Sequence, residues 1–473
     1  MFYTVVRANR TIAASGLGVR NISDPGSNVD GHTLFLMGSV TKSLTAIILG
    51  TAVDAGNVSF SDKVSDILPG FRLKNPFAST EATLTDLMLH RTGVSPYDSL
   101  LLVTRNDSLQ QFLDRVKHLE PHTPFRTQWE YNNAMWAITG HAAAAVVSTG
   151  TGDYGSTIKQ QVFNKVGMPD AVFGLDNVAS KSNVAKAHHS DPLTNATVVD
   201  PYFVDLHIAS PAGMTFMSAT DMSRYLRTLL NSGIAPPSLT DSSDSSPNQV
   251  VSSGTLASIL NPGISLGNFG LGMNSPLYFS QDSQYAFGFY VGRYRGRRFI
   301  QHGGVIQGFV TLFAVFPDDD LAISASVNKD FEFTSYAAVL DLADRFLMGY
   351  RDVDWAASYG NYSDTVAAAK RERPVRIPGT HPSRTDLNDY AGGFVNKAFG
   401  TATITVLSAK DVVLLLKLGD LICPLIHYHY DTFECSDSAI FVSYYSSGTS
   451  PTLDRINIRL DPAMNETLFT RIK

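Results

Sequence analysis

The sequence predicts an α+β fold: a large antiparallel sheet flanked by helices, with a helical region beside it, followed by a small antiparallel β-barrel. Three observations carry this expectation. β-favouring runs stand at both ends of a long first region, at residues 3–7 and 11–17 and again over 286–327. Helical periodicity and turn-rich loops fill the stretch between them. The tail then alternates apolar and polar residues strand after strand. The expected organisation is one domain over 1–350, a linker over 351–385 and a β-domain over 386–473.

Taken in order, the first two runs flank a short polar turn, Ala8-Asn9-Arg10, and read as a hairpin. A helix is expected from about Ser39, because Leu44, Ile47, Ile48 and Thr51 recur at helical spacing and Gly56-Asn57 supplies a stop. Residues 83–90 and 133–147 are the clearest helices of the middle region. Residues 235–254, rich in Ser, Pro and Asp with no apolar period, read as a mobile surface loop. Strands are expected over 287–291, 298–301, 309–316 and 321–327, the last two joined by a solvated turn at Asp318-Asp319-Asp320. An amphipathic helix over 335–347 follows. Residues 371–384, with three prolines and several basic side chains, mark the linker. Beyond it, 401–407, 412–418, 440–445 and 456–460 alternate as strands.

Composition narrows the function classes. The chain has 473 residues, 44% hydrophobic and 17% charged, with a formal net charge of −6. A packed globular protein fits these values, and the basic footprint of a nucleic-acid binder is absent. No dense Lys/Arg cluster marks an anionic membrane surface, and the longest apolar stretches are too short to span a bilayer. Neither nucleic acid nor membrane is therefore expected as a partner. Oligomeric state is open. The two cysteines, Cys423 and Cys435, can form neither a zinc site nor a disulfide scaffold, although one bridge between neighbouring strands is open to them. No cofactor or metal is expected. His188-His189 lies in a polar loop, and His427 and His429 fall on one face of a probable strand; both pairs read as surface or satisfied histidines. Sequons at Asn9, Asn21, Asn57, Asn106, Asn195, Asn361 and Asn465 lean towards a secretory history, although the first residues read as a strand and not as a leader.

Three short elements carry chemistry. In Gly38-Ser39-Val40-Thr41-Lys42 the serine and lysine stand at i and i+3, one face of a helix start. The positive end of the helix dipole and burial both oppose protonation of Lys42, giving an amine able to take the proton of Ser39. Spacing alone arises by chance in a Ser-rich chain. The second element, Tyr131-Asn132-Asn133, precedes a helix: Tyr131 beside Lys42 would titrate low and serve as a base, and Asn133 would hold the lysine or a substrate amide. The bland reading is a core tyrosine and a helix cap. The third, Gln301-His302-Gly303-Gly304-Val305, joins two strands. Its glycines admit a close backbone approach, the Val305 N–H could join that of Ser39 as an oxyanion hole, and His302 could orient substrate or stabilise charge.

Order and spacing together raise these elements above chance. Ser39/Lys42, Tyr131/Asn133 and His302/Gly304 resemble the S-x-x-K, Y-x-N and H-x-G motifs of the β-lactamase and penicillin-binding-protein superfamily, in its class-C-like branch. Thr83 to Val94, Val166-Gly167-Met168 and Ala212-Gly213-Met214 are similar to the family too, so the resemblance runs over about residues 3–348. The tail, from Asp389-Tyr390-Ala391-Gly392-Gly393-Phe394 onward, resembles the lipocalin-like barrel of some relatives. There are departures. The chain opens almost at the first strand where relatives carry a helix, Pro124-Phe125-Arg126 replaces a Pro-Gly turn, and His302-Gly303-Gly304 replaces K-T-G and with it a carboxylate-binding lysine.

The resemblance implies a β-lactamase/transpeptidase-like fold and a serine hydrolase. Ser39, Lys42 and Tyr131 would be catalytic, with Asn133, His302, Gly304 and Val305 at the substrate. It implies an acyl-enzyme on a small-molecule ester or amide without cofactor, and makes efficient β-lactamase action unexpected. Acyl transfer to a metabolite or carrier is the alternative within that chemistry. A non-catalytic binder and a cyclase or isomerase without an acyl-enzyme are the rivals outside it.

Overall fold

The computed structural model describes residues 1–147, 152–191, 194, 196–200, 203–237, 248–266, 283–371, 375–408, 410–435, 440–446, 453–460 and 466–472. Two strands, β1 (Phe2–Arg7) and β2 (Arg10–Gly16), form the hairpin expected at the start. Helices α1 (Thr41–Asp54), α2 (Asn133–Val147) and α3 (Ala219–Leu230) follow. Strands β3 (Ile264–Ser265), β4 (Gln284–Tyr285), β5 (Tyr290–Tyr294), β6 (Arg297–Ile306), β7 (Phe309–Phe316) and β8 (Leu321–Val327) then complete the sheet. It has eight strands in the order β2-β1-β8-β7-β6-β5-β4-β3. The two ends of the region therefore meet side by side, second and third from one edge of the sheet, where Val5 pairs with Ile323.

Sequence pattern explains the layers. Every residue of β7 and β8 is buried, as expected of central strands covered on both faces. On one face lie α1, α2 and α3, within an apolar core that includes Phe35, Leu44, Ile48, Met135 and Phe216. The other face is covered by α4 (Thr334–Met348) and α5 (Trp355–Arg371), over Val5, Phe299, Leu312, Phe316 and Ile323. Helix α1 is apolar nearly all round, and it is buried from Thr41 through Gly50. Caps fix the starts of other helices: Ser218 and Asp221 form a reciprocal capping box at α3.

Three expectations are corrected here. The expected linker over 351–385 is a helix for much of its length, because Trp355 and Tyr359 are buried against α4 and the sheet. His188 sits in a short strand, His188–Ser190, accepting from the Ile22 amide, and is buried instead of lying in a polar loop. The helix expected from Ser39 begins as a 3-10 turn, Gly38–Val40, with α-helical geometry from Thr41. Much of the loop expected over 235–254, residues 238–247, lies outside the described residues.

The tail is a closed eight-stranded antiparallel barrel of β9 (Gly392–Asn396), β10 (Gly400–Ser408), β11 (Val413–Leu418), β12 (Leu421–His429), β13 (Thr432–Cys435), β14 (Phe441–Tyr445), β15 (Arg455–Arg459) and β16 (Thr467–Arg471). β9 and β16 close it. Inward residues such as Phe394, Leu414, Phe433 and Ile456 fill it, as eight strands allow. Cys423 on β12 and Cys435 on β13 are joined by a disulfide. Arg115, paired with Asp107, donates to the Ala398 carbonyl at 3.0 Å and ties the barrel to the first region. Among the described residues no helix is long and apolar enough to cross a membrane.

The cover made by α5 is testable. Trp355 donates its indole N–H to Asp344 at 2.9 Å, and that fully buried carboxylate is also held by Arg295 at 2.7 Å. Trp355→Ala removes both a large apolar body and one of these donors, so a loss of about 3–5 kcal/mol is expected in urea unfolding. A loss under 1 kcal/mol would mean that α5 contributes little to the fold.

Candidate active site

The three sequence elements meet at one point, Ser39 Oγ. Lys42 Nζ is 3.0 Å from it and the Tyr131 hydroxyl 2.7 Å. Lys42 has no exposed surface, because it occupies the first turn of a helix walled in by α2 and by the turn at His207–Ala212. Its Nζ lies 2.7 Å from Asn133 Oδ1 and 2.9 Å from the Ala212 carbonyl. Asn133 Nδ2 donates to Asp98 at 2.8 Å, which fixes the amide so that its oxygen faces the lysine.

Burial pushes the Lys42 amine down to about 7, and the negative charge of Asp98 opposes that fall. Near neutral pH a large share of Lys42 is thus an uncharged amine with two N–H bonds and one lone pair. Asn133 Oδ1 and the Ala212 carbonyl can only accept, so they take both N–H bonds. The lone pair is left facing the Ser39 hydroxyl.

Tyr131 behaves differently from the expectation that its phenol titrates low. Burial, the largest influence, raises its pKa above the ordinary value. Lys42 Nζ lies over the ring face, 4.9 Å from the centroid, and His90 stacks against the ring at 4.4 Å. The group is a neutral phenol that donates to Ser39 Oγ.

His302 is also corrected in one respect. Burial, with Lys42 adding to it, pushes the imidazole down to about 3, so it carries no charge to stabilise an anion. The Gly303 carbonyl lies 2.6 Å from Nδ1 and can only accept, so Nδ1 carries the hydrogen and Nε2 accepts from Tyr285 at 3.0 Å. Both nitrogens are thereby engaged, Nδ1 within β6 itself and Nε2 with Tyr285 of β4.

The glycines set how closely β6 approaches the nucleophile turn. A Cβ on Gly304 would fall 1.9 Å from the Met37 carbonyl oxygen and 3.2 Å from the Ser39 nitrogen. Gly38 has φ of +54°, and a Cβ there would lie 3.3 Å from the Val305 nitrogen. The Ser39 and Val305 amides are therefore neighbours. β5 pairs with β6 only as far as Gln301, so residues 302–306 are free of it on that edge.

Around this point opens a cleft of about 560 Å³, with Ser39, Tyr131, Asn133, His302 and Val305 in its wall. Aromatic side chains supply much of the rest: Trp129, Tyr290, Phe333, Tyr336 and Tyr362. Sequence reasoning missed Asp98, Gln301 and these aromatics. The Ala212 carbonyl was within reach of it, since Ala212-Gly213-Met214 already stood out as family-like. Nothing local marks Asp98 or Tyr362, which tertiary packing brings in.

The fold and this site define a hydrolase of the β-lactamase and penicillin-binding-protein type. A model described as Beta-lactamase matches residues 1–347, and the chain belongs to that family. It is similar to the unguisins hydrolase ungD' of Aspergillus campestris, 24% identical over 402 residues that cover 80% of this chain and 70% of the relative. Among solved structures it is similar to an octameric penicillin-binding protein homologue from Pyrococcus abyssi, with TM-score 0.60, 15% identity and coverage of 99% of this chain and 95% of that one. A class C beta lactamase from Rhodobacter sphaeroides matches with TM-score 0.53, 17% identity and coverage of 78% and 94%. At these identities the structures speak for the fold alone.

Gly304→Ala tests the close approach. Because the new methyl meets backbone, β6 must move from the nucleophile turn, at a cost of about 1–3 kcal/mol in chemical unfolding. Unchanged stability would show that the approach tolerates a side chain.

Proposed function

We propose that the chain is a serine hydrolase in which Ser39 forms an acyl-enzyme on a small-molecule ester or amide. The observation that carries this reading is the geometry at Lys42: its Nζ lies 3.0 Å from Ser39 Oγ, with Asn133 Oδ1 at 2.7 Å and the Ala212 carbonyl at 2.9 Å as two fixed acceptors, so that the lone pair of the uncharged amine would face the Ser39 hydroxyl. In this reading Ser39 Oγ attacks the carbonyl carbon as its proton passes to Lys42 Nζ. The carbonyl oxygen becomes an alkoxide held by the Ser39 and Val305 amides. Collapse breaks the bond to the leaving alcohol or amine, which receives the proton from Lys42 with the Tyr131 hydroxyl beside it to hand the proton across. Water then enters, gives its proton to Lys42 and releases the acid, and Ser39 regains its hydrogen. No charged partner for a β-lactam or peptide carboxylate comes from His302, which stays neutral. Acyl transfer differs only in the nucleophile of the second half.

Intact-mass analysis after treatment with a fluorophosphonate is expected to show one adduct on Ser39, absent from Ser39→Ala. A folded protein that takes no adduct, also from a smaller organophosphate, would overturn the acyl-enzyme. Tyr131→Phe is expected to lower kcat by about 10²–10⁴-fold with the adduct site still present.

The pH dependence has a definite sign. Lys42 must be unprotonated to act, so kcat/KM should rise about tenfold per pH unit up to a midpoint near 7 and level off above it. Asp98→Asn removes a negative charge that favours the ammonium, so its midpoint should move to lower pH. A profile that falls on raising the pH through 7 would exclude Lys42 as the base.

A further inference from the structure

Asp98 reaches the reactive centre at one remove, through Asn133, and part of what holds Asp98 belongs to the barrel. Up to Ser95 the chain is fixed from within the first region: Asn132 Nδ2 donates to the Val94 carbonyl at 3.1 Å and to the Ser95 carbonyl at 2.5 Å. Beyond that, Tyr97 takes the left-handed conformation, with φ of +47°, and leads into a 3-10 turn, Asp98–Val103, whose Leu100 is buried in the core. A bulky residue in that conformation is strained by about 1–3 kcal/mol and persists only where its surroundings fix it. Because Tyr97 directly precedes Asp98, its backbone angles set where the carboxylate points.

The barrel supplies those surroundings. The Tyr97 ring meets that of Phe399 with centroids 6.2 Å apart, and Phe399 is buried in the turn between β9 and β10. That turn is itself braced. Asn396 Oδ1 accepts from the Ala398 and Phe399 amides at 2.8 and 3.1 Å, and the Ala398 carbonyl accepts from Arg115. The Tyr97 hydroxyl donates to the Glu120 carbonyl at 3.3 Å. A cavity of about 710 Å³ borders both rings, so close packing does not back their contact on that flank. Further along the segment, Arg105 lies 3.5 Å from Asp420, in the turn between β11 and β12. The pair is exposed and contributes little by itself, but it sets a second barrel turn beside the same segment.

We propose that Phe399 of the barrel is a positioning residue: seated against Tyr97, it fixes Asp98, which holds Asn133 and through it Lys42. The claim rests on Lys42 being the base for Ser39, as proposed above. The links are continuous, from Phe399 to Tyr97, from Asp98 to Asn133 at 2.8 Å, and from Asn133 to Lys42 at 2.7 Å. The other titratable groups facing Lys42 are Tyr131, His90 and His302, and burial keeps all three neutral. Asp98 thus supplies the charge that opposes the fall of the amine. The walls that bury Lys42 are α2 and the turn at His207–Ala212, neither of them in the barrel. Loosening the barrel turn therefore withdraws that charge and leaves the amine enclosed.

The test follows the rate at which a fluorophosphonate labels Ser39 as a function of pH, which requires no known substrate. The wild type is expected to rise to a midpoint near 7. Phe399→Ala should lower that midpoint by about half a unit or more, in the direction of Asp98→Asn. In an Asp98→Asn background it should move the midpoint no further, because the group it positions no longer carries charge. Phe399→Tyr keeps the ring and should keep the wild-type midpoint. Arg115→Ala frees the same turn from outside the barrel and should shift the midpoint the same way, so it carries the test if a thermal melt shows Phe399→Ala unfolded. A midpoint unchanged or raised in the folded variants, a shift in Phe399→Tyr as large as in Phe399→Ala, or a shift that persists on Asp98→Asn would each overturn the assignment. A wild type that takes no adduct overturns the acyl-enzyme and this assignment together, whereas a labelled wild type with unmoved variants overturns the assignment alone.

Discussion

An amine without water is the constraint on which the site depends. Lys42 is buried because α1 is apolar around nearly its whole circumference, and a helix of that kind is stable only when enclosed on every side. Enclosure removes the solvent that would keep the ammonium charged. Fixed acceptors from α2 and from the turn ending at Ala212 then decide where the remaining lone pair points. Electrostatics and packing are here one fact: the core that stabilises the domain also tunes its base.

Around that helix the other parts have separable tasks. The sheet brings β6 beside the nucleophile turn, and glycines at 38 and 304 permit the contact. His302 joins β6 to Tyr285 of β4 by a hydrogen bond that needs no charge. Asp98 orients Asn133, which in turn orients Lys42. The aromatic wall draws on Trp129 and Tyr290 from one side and on Tyr336 and Tyr362 of α4 and α5 from the other.

Much of this was legible in the sequence because its cues are local. Alternation and full apolar runs marked β7 and β8, and the apolar period of 133–147 matches α2 at both ends. Ordered motifs named the three groups that meet at Ser39. What failed were inferences about environment. Proximity to a lysine predicts a depressed phenol pKa for Tyr131, yet the lysine lies over its ring while burial dominates. His302 was read as orienting substrate or stabilising charge, whereas burial lowers its pKa and keeps the imidazole neutral. The helix within the expected linker was hidden by polar and small residues, among which Trp355, Tyr359, Tyr362 and Val366 supply its apolar anchoring. In the barrel, β12 was read only as a probable strand around His427 and His429, because Pro424 interrupts its alternation, and β13 escaped notice because it is only four residues long.

The all-round burial of α1 also bears on how such a protein can change over generations. A substitution on that helix disturbs packing in every direction, so its sequence has little room to drift without a cost of several kcal/mol. The wall of the cleft is built elsewhere, from loop residues and from α4 and α5, whose outer faces meet solvent. New substrates can therefore be accommodated by altering the wall while the reactive centre stays as it is, a division of labour that lets one framework be retuned many times.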